Sequence, residues 1–163
     1  MLQVRKSTVN DLDAMLAIYE AARAFMVEAG NPTQWGTSYP PKEALIQDMA
    51  DECSFVCTLD GAVVGTFMFR IGEDPTYRVI DGQWLDDAPY GVVHRIAVKR
   101  GVKTVAAHCL EWCMGRIGNI RIDTHTANGP MRTLLGRLGY AECGVIRVRD
   151  GSQRIAYQLR GSV

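Results

Sequence analysis

Two of the three histidines in this 163-residue chain fall where a sheet would offer them to a ligand. His94 lies inside the apolar run Tyr90 to Val98. An imidazole changes charge near neutral pH, so a histidine on such a strand can take a proton from an attacking group. Strand alternation predicts that His94 shares one face with Val92, Ile96 and Val98, and that placement equally suits a core histidine bonded to a backbone carbonyl. Asp123 and His125 stand two apart in the run Asn119 to Thr126, in phase with Arg121, so the three project to one face. A carboxylate beside a histidine can orient it or take up its charge. The plainer alternative is an Asp–Arg pair with a helix-capping histidine.

A second pattern follows Val98. The turn Lys99-Arg100-Gly101-Val102-Lys103 holds three basic side chains and no acid, and leads into a helix. The first N–H groups of a helix lack intrahelical partners and carry partial positive charge, which makes this a candidate phosphate site. It has neither the P-loop string nor the dinucleotide glycine fingerprint, and a solvated basic connection is the other reading. Overall the chain is balanced, with 18 Lys+Arg against 18 Asp+Glu. That argues against nucleic acid held by bulk positive charge. No apolar run nears the roughly 18 residues of a membrane span and no signal-like segment opens the chain, so a cytoplasmic protein with no membrane partner is expected. Five cysteines include the spaced pairs Cys53/Cys57, expected on one face of a strand, and Cys109/Cys113, one helical turn apart beside His108. No second cluster completes a zinc site, so free core thiols are expected and no metal.

The elements that must position these groups follow from periodicity. Thr8 to Asp11 opens a helix whose apolar positions run from Leu12 to Met26 and which stops near Gly30. Asn31 to Pro41 is an uncharged loop, and Pro41 opens a helix from Lys42 to about Ala50. Phe55 to Leu59 and Val63 to Arg70 form a hairpin about Asp60-Gly61. An irregular insertion, Glu73 to Pro89, precedes the Tyr90 strand. A helix from Thr104 to Arg116, the Asn119 strand, a helix from Pro130 capped at Gly139, and a hairpin from Cys143 to Leu159 complete the order, with a further strand at Leu2 to Arg5. Strand–helix–strand between residues 90 and 126 requires a right-handed parallel crossover. Residues 1 to 163 thus read as one α/β (α+β) domain, a mixed central sheet flanked by helices.

The order of elements, the strand His94-Arg95-Ile96-Ala97-Val98 before a basic loop and helix, and Asn128 before a helix ending Leu138-Gly139-Tyr140 together resemble the GNAT N-acetyltransferase superfamily. Gln34-Trp35, Tyr39-Pro40, Arg121-Ile122-Asp123-Thr124-His125 and Arg154-Ile155-Ala156-Tyr157 point to a bacterial small-molecule-type subgroup. The resemblance implies the acyl-CoA N-acyltransferase fold, with acetyl-CoA as cosubstrate. Ile96, Ala97 and Val98 would pair with its pantetheine arm, and Arg100 with the stretch Gly101, Val102, Lys103, Thr104, Val105 and Ala106 would cradle its pyrophosphate. Asn128, and Met131 after it, would contact the CoA arm. Thr104 stands at the central glycine of the family pattern, where its hydroxyl can donate a hydrogen bond. Leu135 stands where many members carry a thiolate-protonating tyrosine. Trp35, Tyr39 and Trp84 would wall the acceptor pocket, or simply pack.

The expected activity is acetyl transfer to a primary amine of a small molecule, by direct attack in a ternary complex, with His94, His125 and Asp123 as catalytic candidates. A CoA-binding or regulatory protein without turnover and a protein N-acetyltransferase are the alternatives, and a homodimer is compatible with either.

Overall fold

The computed structural model describes residues 1–161. Its strands are β1 (Leu2–Lys6), β2 (Ser54–Leu59), β3 (Ala62–Ile71), β4 (Asp81–Gly82), β5 (Gly91–Val98), β6 (Asn119–Thr124), β7 (Ala141–Arg147) and β8 (Gln153–Arg160). Its α-helices are α1 (Leu12–Glu28), α2 (Lys42–Ala50), α3 (Val105–Ile117) and α4 (Gly129–Arg137). The strands form one mixed sheet in the order β1-β2-β3-β5-β6-β8-β7-β4. The β5–α3–β6 crossover is the parallel unit expected from the sequence, and antiparallel ladders flank it.

Helices cover both faces because the strands alternate apolar residues to each side. Phe55, Cys57, Phe67, Phe69 and Val93 form one core with Cys109, Leu110 and Cys113 of α3 and Leu135 of α4. Val56 and Ala97 meet Leu12, Met15 and Tyr19 of α1 and Leu45 of α2 on the other side. A third cluster joins Tyr77 of the insertion to Tyr90, Val92, Ile146 and Ala156. Gly139 closes α4 at φ 90°, the left-handed cap its residue type favours.

Three local expectations change. The insertion is partly ordered: Pro75–Tyr77 makes a 3-10 turn and β4 adds a two-residue edge to β7. Cys53 precedes β2, and its Sγ turns to Asp48 of α2 at 3.9 Å, so it does not share the face of Cys57. The third change concerns β5. Opposite β3 its register slips between the pairs Met68–His94 and Thr66–Ala97, which leaves Arg95 and Ile96 facing Phe67 alone. The extra residue is a β-bulge, with Arg95 at φ 53°. It reverses the alternation beyond it. Val93 belongs to the α3 core and so do Ile96 and Val98, three and five residues later, while Val92 and Ala97 do not. His94 is therefore on the face away from Ile96 and Val98, contrary to simple alternation.

Candidate functional site

The site begins where β5 and β6 part. They pair at Gly91–Ile120 and Val92–Arg121. Beyond that β6 continues against β8 as far as Thr124–Ile155, and β5 continues against β3 as far as Val98–Gly65. The edge of β5 from Val93 to Val98 thus carries backbone groups with no strand beside them. Such groups in a protein interior call for a partner, and here a ligand can supply one. The bulge is held from behind. The Tyr19 hydroxyl donates to the Arg95 carbonyl at 2.6 Å. The Arg95 guanidinium grips both oxygens of Asp48 at 2.6 to 3.0 Å and donates to the Tyr39 hydroxyl at 3.1 Å.

Just before the bulge, His94 meets two carboxylates. Its Nε2 lies 2.6 Å from Asp74 Oδ2, and its Nδ1 lies 3.9 Å from Asp123 Oδ2. Asp74 also accepts from the Thr76 N–H at 2.9 Å and the Thr76 hydroxyl at 2.7 Å. Burial opposes its charge, yet the His94 and Thr76 hydrogen bonds outweigh that and hold the Asp74 carboxyl well below the usual carboxylate range. An ionised Asp74 can only accept, so whenever one ring nitrogen of His94 is bare, the proton stays on Nε2. The Nδ1 lone pair is then left free. The Asp123 oxygen that faces Nδ1 already accepts from the Tyr77 hydroxyl at 2.7 Å. Burial and the Asp123 charge push that phenol well above its ordinary range, so it stays a donor. The arrangement is a histidine oriented by one carboxylate, with a second carboxylate 3.9 Å from its free nitrogen.

Two cavities meet at this place. The first, about 530 Å³, is bounded by His94, Asp74, Asp123, Trp35, Tyr39 and Arg154. The second, about 390 Å³, runs along Ile96, Ala97 and Val98 to Arg100, Gly101, Val102 and Ala106. Ile96, Asn128 and Met131 line both. Asn128 caps α4 by accepting from Met131 N–H at 3.2 Å, and its amide donates to Gln34 at 3.0 Å, which ties the Asn31–Pro41 loop to the junction. In the turn ahead of α3, Gly101 and Thr104 both adopt positive φ, 87° and 66°. Only the first is suited to it, because a β-branched residue there is strained. The Thr104 hydroxyl donates to the Lys103 carbonyl at 2.6 Å. Arg100 is paired with Glu28 at 2.8 Å across an exposed surface.

The other residues singled out from the sequence fall as follows. Lys103 and Thr104 are exposed beside the second cavity, and Val105 is buried beneath it at the start of α3. Leu135 is fully buried in the α3 core, so no side chain from that position reaches either cavity. Trp84 stands behind the first cavity. Its indole donates to the Tyr77 carbonyl at 3.0 Å, and Arg121 lies over its ring at 4.2 Å. Arg121 also lies over Tyr90 and donates to the Asp86 carbonyl, so it forms no pair with Asp123. His125 follows the end of β6. Its Nδ1 accepts from Ala127 N–H at 3.0 Å and Nε2 is 3.4 Å from the Thr33 hydroxyl, the capping role rather than a place beside His94. Burial and then Arg154 lower its pKa. Asp74, Thr76 and Tyr77 were not singled out from the sequence, since an irregular insertion has no periodicity to aim its side chains. Among the described residues no group of three or more His, Cys, Asp or Glu is arranged to hold a metal ion.

No protein-family model matches the sequence, and no curated protein sequence does. Solved structures do resemble the fold. An acetyltransferase of the GNAT family from Streptococcus agalactiae is 29% identical, with TM-score 0.90 over 99% of this chain and 96% of that one. A putative acetyltransferase from Staphylococcus aureus is 21% identical, with TM-score 0.72 over 97% and 98%. The structure of the NatC complex bound to Gag peptide and CoA matches at 9% identity and TM-score 0.65 over 99% of both chains.

Proposed function

Because the chain belongs to the GNAT superfamily, we propose that it is an acetyl-CoA-dependent N-acetyltransferase whose acceptor is a small molecule with a primary amine. The observation that carries this reading is the meeting of the two cavities at Ile96, Asn128 and Met131, with His94 on the first and the unpaired edge of β5 on the second.

The second cavity suits CoA by its chemistry. A free strand edge matches the amides of a pantetheine arm. The basic turn with Gly101 at positive φ, at the start of a 13-residue helix, matches a pyrophosphate. Ile96, Ala97, Val98, Gly101, Val102, Ala106, Asn128 and Met131 would hold it, and bound acetyl-CoA would supply an acetyl group already activated as a thioester. Backbone N–H groups on the free edge of β5 can donate to a carbonyl oxygen lying against it, where negative charge grows as the bond forms.

The first cavity lies within the range of roughly 300–1,000 Å³ common for small-ligand sites. Asp74 and Asp123 attract an ammonium group to His94. His94 Nδ1 then takes the proton, which frees the amine's lone pair, while Asp74 stabilises the imidazolium through Nε2. Such a base is worth about 10²–10⁴ in rate, and holding both reactants in one geometry supplies much of the rest. With Leu135 inside the core, no tyrosine at that position protonates the departing thiolate; protonated His94 is the available donor through water.

The test is thiol release from acetyl-CoA in the presence of a panel of small amines and peptides. Turnover on a small amine, lost in His94→Ala with CoA binding kept, supports the reading. CoA binding without turnover on any acceptor favours a binding protein, and turnover on peptides alone favours a protein acetyltransferase.

A further inference from the structure

Arg154 is 7% exposed and lines the first cavity. Arginines this deeply buried are normally matched by a carboxylate. Arg95, on the same cavity, is matched by Asp48. No carboxylate among the described residues lies within 4.0 Å of Arg154. Its hydrogen bonds go to neutral oxygens: Ser152 Oγ at 2.9 Å, the Gln153 carbonyl at 3.0 Å and the Gln34 carbonyl at 3.2 Å. Nearby Asp150, which also lines this cavity, accepts from the Ser152 N–H and hydroxyl through Oδ1 at 2.8 and 2.6 Å, so it meets Arg154 only through that hydroxyl and at longer range. The fold thus holds a guanidinium against a ligand cavity with no carboxylate in direct contact with it.

Its place relative to His94 is set by the sheet. Asp123, beside His94, pairs across β6–β8 with Ala156, and Arg154 is two residues before Ala156. One strand sideways and two residues along corresponds to about 8 Å between the Cα positions of Asp123 and Arg154. The cavity therefore carries both signs on one wall: two carboxylates around His94, and an unpaired guanidinium one strand away.

We infer that the acceptor is a small amino acid-like zwitterion, its ammonium at His94 between Asp74 and Asp123 and its carboxylate on Arg154. Guanidinium and carboxylate are matched in shape and charge, and leaving such a group unpaired is what lets a site reject an analogue that lacks the partner. This rests on the proposed acetyl transfer for the identity of the amine site, but the anion site is a property of Arg154 itself.

The experiment compares unbranched ω-amino acids of two to six carbons with alkylamines of equal length, using thiol release, and measures butyrate binding to the CoA-loaded protein by calorimetry. One amino acid of the series should show a KM at least tenfold below its matched amine. Arg154→Gln should erase that difference by raising the KM of the amino acid to that of its matched amine, and Arg154→Lys should restore part of it. Butyrate should bind the parent protein and not Arg154→Gln. Equal KM for acids and amines, or equal loss on both in Arg154→Gln, overturns the inference. So does preference for O-phosphoethanolamine over the carboxylate series. If no amine reacts, butyrate binding that depends on Arg154 supports the anion site while the transferase reading fails, and butyrate binding indifferent to Arg154 overturns both.

Discussion

Asp74 Oδ2 and His94 Nε2 lie 2.6 Å apart although twenty residues separate them in the chain. The contact joins an irregular insertion to the strand that opens the sheet. It decides which imidazole nitrogen carries the proton, and so which one is free to accept another.

That dependence makes Asp74→Asn informative. An asparagine can present its amide N–H to Nε2, which would turn the imidazole to the tautomer with its proton on Nδ1 and remove the free lone pair. The shape of the site changes little. We expect kcat to fall at least about tenfold with the KM for acetyl-CoA unchanged, and His94→Ala to fall by about 10²–10⁴. Steady-state thiol release on both variants checks this. A kcat for Asp74→Asn equal to that of the parent would remove Asp74 from the mechanism.

The same carboxylate sets an acid limb on stability. In the folded chain its pKa is held well below 3.8, the value it regains on unfolding. The unfolded state therefore binds the proton first as pH falls. The stability Asp74 contributes is fully present above about pH 5 and drains away as pH drops through 3.8 and below. Asp11, lowered chiefly by its hydrogen bonds from Arg5, acts in the same direction. Urea midpoints between pH 7 and 3 should fall, and Asp74→Asn should be less stable at pH 7 with a shallower fall. An equally steep acid limb in the variant would sink this assignment.

Much of the frame was legible from residue pattern, and the site only in part. Gly91 to Val98, the basic turn and α3 follow from local periodicity and composition, so the crossover could be read directly. The bulge at Arg95 could not. It depends on Tyr19 and Asp48, far away in sequence, and it is what moves His94 off the face of Ile96. Asp123 and His125 are in phase by alternation, but β6 stops at Thr124 and alternation no longer governs the next side chain. Asp74 is one acid among several in the insertion, and nothing local distinguishes it until Thr76 and Tyr90 fix its loop.

Thr104 carries a cost that a single change can remove. At φ 66° a β-branched residue is strained by about 1–2 kcal/mol, whereas glycine incurs only the smaller entropic penalty of about 0.5–1 kcal/mol. Thr104→Gly should raise stability by about 0.5–1 kcal/mol and leave CoA affinity equal or tighter, since its hydroxyl is engaged by the Lys103 carbonyl. Urea unfolding and calorimetry with CoA measure the two. A tenfold weaker CoA complex would show instead that the hydroxyl turns to the phosphate on binding.

The junction where β5 and β6 part rests on a close approach at Gly91. A Cβ there would stand 2.7 Å from Phe69 Cε1, 3.0 Å from Ile120 Cδ1 and 3.2 Å from Ile117 Cγ2. These are packed side chains of β3, β6 and α3, so relief requires movement in three elements at once. Overpacking of this kind costs about 1–3 kcal/mol. The strain also falls on one of the two residue pairs that join β5 to β6, so it should disturb the gap between the two cavities as well as the core. Gly115 is the matched control: it lies on the exposed side of α3, and a Cβ added there would meet no atom within 4 Å. Gly115→Ala should stabilise by up to about 1 kcal/mol through helix propensity and leave kcat untouched. Gly91→Ala should lower the urea midpoint and raise the KM for acetyl-CoA together. A Gly91→Ala variant with parental stability would mean that β5 and β6 can slide apart there without cost, and that the gap is not set by this contact.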